Sequence, residues 1–160
     1  MLKAIVISSL LLSLSPAAEV VDFDMSTLAP YALEYHKIQD PKKDLEQAKK
    51  KAQEKNKKIL LIVGGDWCKW SGTLDNFLED HPKIAQEFFD NFEVVKVYYG
   101  RGMTKKAKDF LRKFPPLKGT PHFYILDKNG KLLKSVDTSF LERGYGYNKH
   151  KFKKFIEENK

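Results

Sequence analysis

Cysteine is nearly absent: the 160-residue chain has one, Cys68. One thiol cannot close an internal disulfide, so no disulfide framework braces this fold. Long apolar runs are also missing beyond the N-terminus, whereas a spanning helix needs about 20 such residues. The histidines, His36, His81, His122 and His150, are scattered, and no pair has the spacing of metal ligands. Gly64-Gly65 lacks a phosphate-loop pattern. No internal repeat or low-complexity segment interrupts the chain. Metal sites and other cofactors therefore have no motif to support them, and none is expected.

What is present suits one globular domain. The chain is 42% hydrophobic and 31% charged, with 11 Phe and 7 Tyr, so disorder is not the default. Its 29 basic against 21 acidic residues give a net charge of +8, which attracts anionic partners or lipid head groups. Many lysines, such as Lys49, Lys50, Lys51 and Lys55, fall in a helical stretch where a solvated face accounts for them. No nucleic-acid-binding motif accompanies the charge, so nucleic acid is not an expected partner.

Lys3, the apolar run Ala4 to Leu14 and the small residues Ser15-Pro16-Ala17-Ala18 have the order of an export signal. Residues 1–18 are expected to direct the protein to the periplasm or outside the cell, leaving no integral membrane segment in the mature chain; a retained N-terminal anchor is the alternative. An odd cysteine in an exported protein points to intermolecular pairing or a reactive thiol. The plainer reading is a buried, inert cysteine.

Residues 19–43 read as an N-terminal extension punctuated by Pro30 and Pro41, in which Tyr35 to Ile38 could add a short strand. Asp44 to Asn56 predicts a helix with Leu45, Ala48 and Ala52 on one side. Ile59 to Val63 is a continuous branched run, which predicts a strand buried on both faces. A helix follows to about Leu78, and another opens at Pro82 with Ile84, Phe88 and Phe92 repeating every four residues. Glu93 to Tyr99 predicts a second strand, and Thr104 an N-cap for a helix presenting Ala107, Phe110, Leu111 and Phe114. His122 to Leu126 and Lys131 to Val136 flank Asn129-Gly130, a hairpin signal. Lys149 to Asn159 closes the chain as a helix with Phe152, Phe155 and Ile156 inward, while Arg143 to Tyr147 reads as a turn capped by surface aromatics. The order predicts an α/β fold with helices on both faces of one sheet.

Two motifs stand on this frame. Trp67-Cys68-Lys69-Trp70-Ser71 lies between the central strand and a helix, and Gly119-Thr120-Pro121 precedes the hairpin. In this order they resemble the thioredoxin superfamily, in particular its exported, disulfide-isomerase-like branch, over residues 44–160. The resemblance implies a thioredoxin fold with a central mixed sheet. It also implies Cys68 as nucleophile, and a cis Pro121 facing it that frees the Thr120 backbone to pair with substrate. Taken alone, Pro121 is an ordinary loop proline before a strand.

The chemistry favours that placement. A thiolate, not a thiol, attacks a disulfide. At a helix start, unpaired N–H groups and the macrodipole favour the anion, and Lys69 adds positive charge. A depressed Cys68 pKa is expected. Trp67 either shields the thiol or is a plain core aromatic. Ser71 either donates to the thiolate or is only a small first-turn residue.

Ser71 is the main departure, standing where the family has a resolving cysteine. Without that second thiol no intramolecular disulfide forms, so exchange or isomerisation is expected through mixed disulfides, not net dithiol redox. The expected partners are exported proteins bearing disulfides or thiols, and small-molecule thiols. The alternative is a non-catalytic binding or chaperone-like module in which Trp67, Trp70 and Pro121 hold client peptides. A second departure is the central strand, which carries no acid as proton acceptor; Asp66 is a weak substitute. His122 follows Pro121, but a catalytic role for it is not expected.

Overall fold

The computed structural model describes residues 22–160; the expected export signal at 1–18 lies outside them. A 3-10 turn at Met25–Thr27 and a one-turn helix α1 (Pro30–Leu33) lead into α2 (Pro41–Lys55). Next come β1 (Lys58–Gly64), α3 (Lys69–Glu79), α4 (Pro82–Asn91), β2 (Phe92–Tyr98) and α5 (Lys105–Leu111). The hairpin β3 (His122–Leu126) and β4 (Leu132–Asp137) follows, then a small ribbon of β5 (Glu142–Arg143) and β6 (Gly146–Tyr147), and finally α6 (Lys149–Asn159).

The main sheet runs β2-β1-β3-β4, with β1 parallel to β2 and antiparallel to β3. As its unbroken apolar run predicts, β1 is central, and Ile59 to Val63 are at most 1% exposed. Alternation along β3 assigns the two helical layers. Phe123 packs on Phe88 of α4 and Phe155 of α6, while its neighbour Tyr124 packs on Phe114, just beyond α5. α3, α4 and α6 thus share one face, joined by Phe77–Phe152 and Phe88–Phe152 contacts, and α2 and α5 cover the other. Burying so many aromatic rings, each worth about 1.5–3 kcal/mol, is the main source of stability.

Several boundaries differ from expectation. α2 starts at Pro41, not Asp44, because proline's fixed φ suits the first helical turn; it ends at Asn56 in the left-handed region, φ 51°. Phe92 does not continue the α4 repeat: it opens β2 and packs between Phe88 and Phe155. α5 stops at Leu111, and Phe114 reaches the core from the following turn. The segment Tyr35 to Ile38 is no strand. Lys37 and Ile38 form a turn, and Tyr35 is buried.

The segment read as an extension is packed into the same core through Tyr31, Ala32 and Tyr35, and the expected boundary at 43/44 falls inside α2. It also covers the open edge of β2. The Gln39 amide donates to the Lys96 carbonyl at 2.6 Å, and its oxygen accepts from the Tyr98 N–H at 3.3 Å. A side chain here does the work of a neighbouring strand. Lys96, on β2 and buried, sends Nζ to the Leu33 carbonyl (2.6 Å) and to Asp75 of α3 (2.8 Å). Among the described residues, no helix is long and apolar enough to cross a membrane.

Candidate active site at the head of the central strand

β1 and β3 run antiparallel with Val63 opposite His122. The exit of β1 therefore lies beside the entry of β3, and the two motifs, 52 residues apart, are forced together there. From β1 the chain turns through Gly65-Asp66-Trp67, closed by the Cys68 N–H donating to the Gly65 carbonyl at 2.9 Å. Cys68 then caps α3 in extended conformation, and its carbonyl accepts from the N–H groups of Ser71 (3.0 Å) and Gly72 (3.2 Å). The Thr120–Pro121 peptide is cis.

The thiol is 8% exposed and meets Thr120 twice. Thr120 Oγ1 donates to Sγ at 3.2 Å, and the protonated thiol donates to the Thr120 carbonyl at 3.3 Å. Burial opposes ionisation, but the Thr120 hydroxyl, the Ser71 hydroxyl and the backbone N–H groups of Ser71 and Trp70 outweigh it, so the Cys68 pKa lies below its ordinary value. Ser71 Oγ is buried and has no hydrogen-bond partner among the described residues. Its rotor nonetheless lies close enough to turn toward the thiolate.

Lys69 is turned toward another group. Its Nζ lies over the exposed Tyr145 ring, 5.7 Å from the centroid. The two tryptophans have different partners. Trp67 is 57% exposed and its Nε1 donates to the Tyr99 carbonyl at 2.8 Å. Its indole lies against two glycines: a Cβ on Gly65 would stand 2.6 Å from Nε1 and one on Gly100, at φ +150°, 2.4 Å. Trp70 is half-buried and meets Tyr147 edge-on at 5.7 Å. Pro121 is buried, and its carbonyl accepts from Thr138 at 2.6 Å.

Three residues beneath the thiol escaped the sequence reading. Tyr147 is no surface aromatic: it is 8% exposed and donates to the Trp70 carbonyl at 3.4 Å. Tyr35 is buried beside Ser71, and its pKa is pushed well up, chiefly by burial and next by Asp75. Asp75 is half-buried one turn beyond Ser71; burial raises its pKa although Lys96 pulls the other way. Only the four-residue spacing of Ser71 and Asp75 hinted at this, since Tyr35 and Lys96 arrive from other elements. Asp66, by contrast, is exposed. His122 Nε2 is 2.9 Å from Ser135 Oγ and its ring packs on Tyr124, so β3 alternation turns it from the thiol. Among the described residues no cluster of three or more His, Cys, Asp or Glu gathers to hold a metal ion.

A mixed sheet between helical layers, a cysteine capping the helix after the central strand and a cis proline heading the next strand together define a thioredoxin fold. The profile of a family described as thioredoxin-like matches residues 40–128, more than half the chain, and the chain belongs to that family. Among solved structures, a disulphide isomerase from Xylella fastidiosa Temecula1 is similar at 21% identity, over 79% of this chain and 95% of that one, with a TM-score of 0.65. The C-terminal domain of Neisseria meningitidis DsbD in its oxidised form is similar at 17% identity, over 78% of this chain and all of that one (100%), with a TM-score of 0.57. At such identities the likeness is one of fold. No curated protein sequence matches the chain.

Proposed function

We propose that this protein is an exported monothiol exchange catalyst that rearranges disulfides in client proteins through Cys68. The observation that carries the reading is the thiol held at the start of α3 with Thr120 Oγ1 donating to it at 3.2 Å, beside a cis Thr120–Pro121 bond. The Cys68 thiolate attacks one sulfur of a client disulfide, forming a mixed disulfide and releasing the other sulfur as a thiolate, which takes a proton from solvent. A client or small-molecule thiolate then attacks the mixed disulfide, making a new disulfide and returning the Cys68 thiolate. One disulfide is broken and one made, so no external oxidant or reductant is consumed.

Ser71 stands where a second thiol would divert this cycle into an internal disulfide. Export rests on Lys3 and the apolar run before Ser15. The test is recovery of active enzyme from a disulfide-scrambled protein, with trapping of mixed disulfides, comparing the protein with Cys68→Ala. Catalysed recovery and trapped adducts that both vanish in the variant support the reading. Equal recovery with both proteins overturns it and favours a binding module.

A further inference from the structure

Against Trp67, the residue before Cys68, a cleft of about 760 Å³ opens between the turn after β2 and the turn before α2. Its size is that of a ligand pocket. The walls are apolar and aromatic, from Trp67, Tyr98, Tyr99 and Met103, and the rim carries two cations, Lys37 and Arg101, with no acidic residue in the lining. Neither cation has an ion-pair partner among the described residues. Lys37 Nζ sits 6.0 Å from the Tyr98 ring centroid. The Tyr98 hydroxyl donates to the Arg101 carbonyl at 2.9 Å, which fixes the turn bearing that guanidinium. Trp67 and Tyr99 are 57% and 40% exposed, so apolar surface and unpaired positive charge coincide in a cleft that Trp67, the residue before Cys68, helps to line.

We propose that this cleft binds an acidic, aromatic- or aliphatic-containing segment of the client polypeptide, next to the cysteine that Cys68 attacks. Trp67 immediately precedes Cys68 in the chain, so a client whose sulfur lies at Sγ brings neighbouring residues onto the indole. The apolar side chain seats between Trp67 and Tyr99, and carboxylates pair with Lys37 and Arg101. The site thereby selects acidic flanks. Its role in exchange rests on the function proposed above, but the binding preference does not.

The experiment uses the Cys68→Ala chain, which binds without covalent chemistry, and two dye-labelled peptides of equal length built around Cys-Phe. One carries two glutamates and the other two lysines beyond the phenylalanine. Fluorescence anisotropy should show the acidic peptide binding about fivefold more tightly or better, the preference shrinking at higher salt. It should vanish when K37Q and R101Q are added, and reverse with K37E and R101E. Equal affinity for both peptides, or a preference that survives K37Q and R101Q, overturns the assignment. So does competition by a γ-glutamyl-cysteinyl-glycine tripeptide as effective as the acidic peptide's own, because the occupant is then a small thiol. If the Cys68-containing chain exchanges with neither peptide when each is offered as its mixed disulfide with a small thiol, while this preference holds, the exchange reading fails and the cleft stands.

Discussion

Thr120 touches Cys68 with two groups of opposite demand. Its hydroxyl donates to Sγ at 3.2 Å and favours the thiolate; its carbonyl accepts from the thiol at 3.3 Å and favours the protonated form. The hydroxyl bond strengthens on ionisation, while the carbonyl loses its donor and becomes free to accept from an incoming backbone N–H.

Thr120→Val keeps the shape and deletes the donor. A hydrogen bond to a charged group is worth about 1.5 kcal/mol or more, so alkylation of Cys68 at neutral pH should slow by about tenfold. Thiolate absorbance against pH should shift to higher pH. An unchanged titration would show that the N–H groups of α3 alone set the thiol's acidity.

The depressed Cys68 pKa also predicts how stability varies with pH. Between the folded value and the higher unfolded one, the unfolded chain binds more protons, so stability rises with pH across that window. The gain is full above the unfolded value, about 8.5, and is lost as pH falls through the folded value. Urea unfolding from pH 6 to 10 should show the protein gaining on Cys68→Ser as pH rises. A constant difference between the two would refute the depressed pKa.

Ser71→Cys supplies the missing second thiol at the buried first turn of α3. The oxidised variant should lose 2 mass units, about two hydrogens, through an internal disulfide. It should also gain turnover in a disulfide-reduction assay with a small dithiol donor. A variant that stays a dithiol under oxidant would mean that the two positions cannot meet.

Gly100→Ala drives a Cβ to 2.4 Å from Trp67 Nε1 and places alanine at φ +150°. Loss of the indole bond to the Tyr99 carbonyl and backbone strain should cost about 1–3 kcal/mol. Trp67 emission should become more quenchable by iodide. An unaltered quenching profile would mean that Gly100 does not seat the indole.

Lys96→Met strands the Asp75 carboxylate and the Leu33 carbonyl. Thermal or urea unfolding should show a loss of about 2–4 kcal/mol, partly recovered by adding Asp75→Asn. If the second substitution recovers nothing, the pair is not coupled.

The order of elements, the central strand and the cysteine at a helix start were legible in the sequence because they are local. An unbroken branched run such as Ile59 to Val63 has one inexpensive place to go, the middle of a sheet. Thr104 was readable as an N-cap because its side chain bonds three residues on, to the Ala107 N–H at 3.1 Å. The meeting of Cys68 with Thr120 was reached by resemblance; its physical cause is the antiparallel register of β1 and β3, which no spacing reveals.

What lies beneath and beside the thiol came from tertiary structure alone. Tyr35, Gln39 and Lys96 are polar or amphipathic groups whose partners are distant in sequence, and a polar residue signals burial only once its partner is known. Tyr147 looked like a surface aromatic because a two-residue strand has no periodicity to show which side faces inward. The sequence by itself determined that this protein has one thiol at a helix start and no second one beside it. The packing of strands decided that the Thr120 hydroxyl meets the thiol at 3.2 Å and favours its anion, because hydrogen bonds act over about 3 Å and only the fold sets which groups come that close.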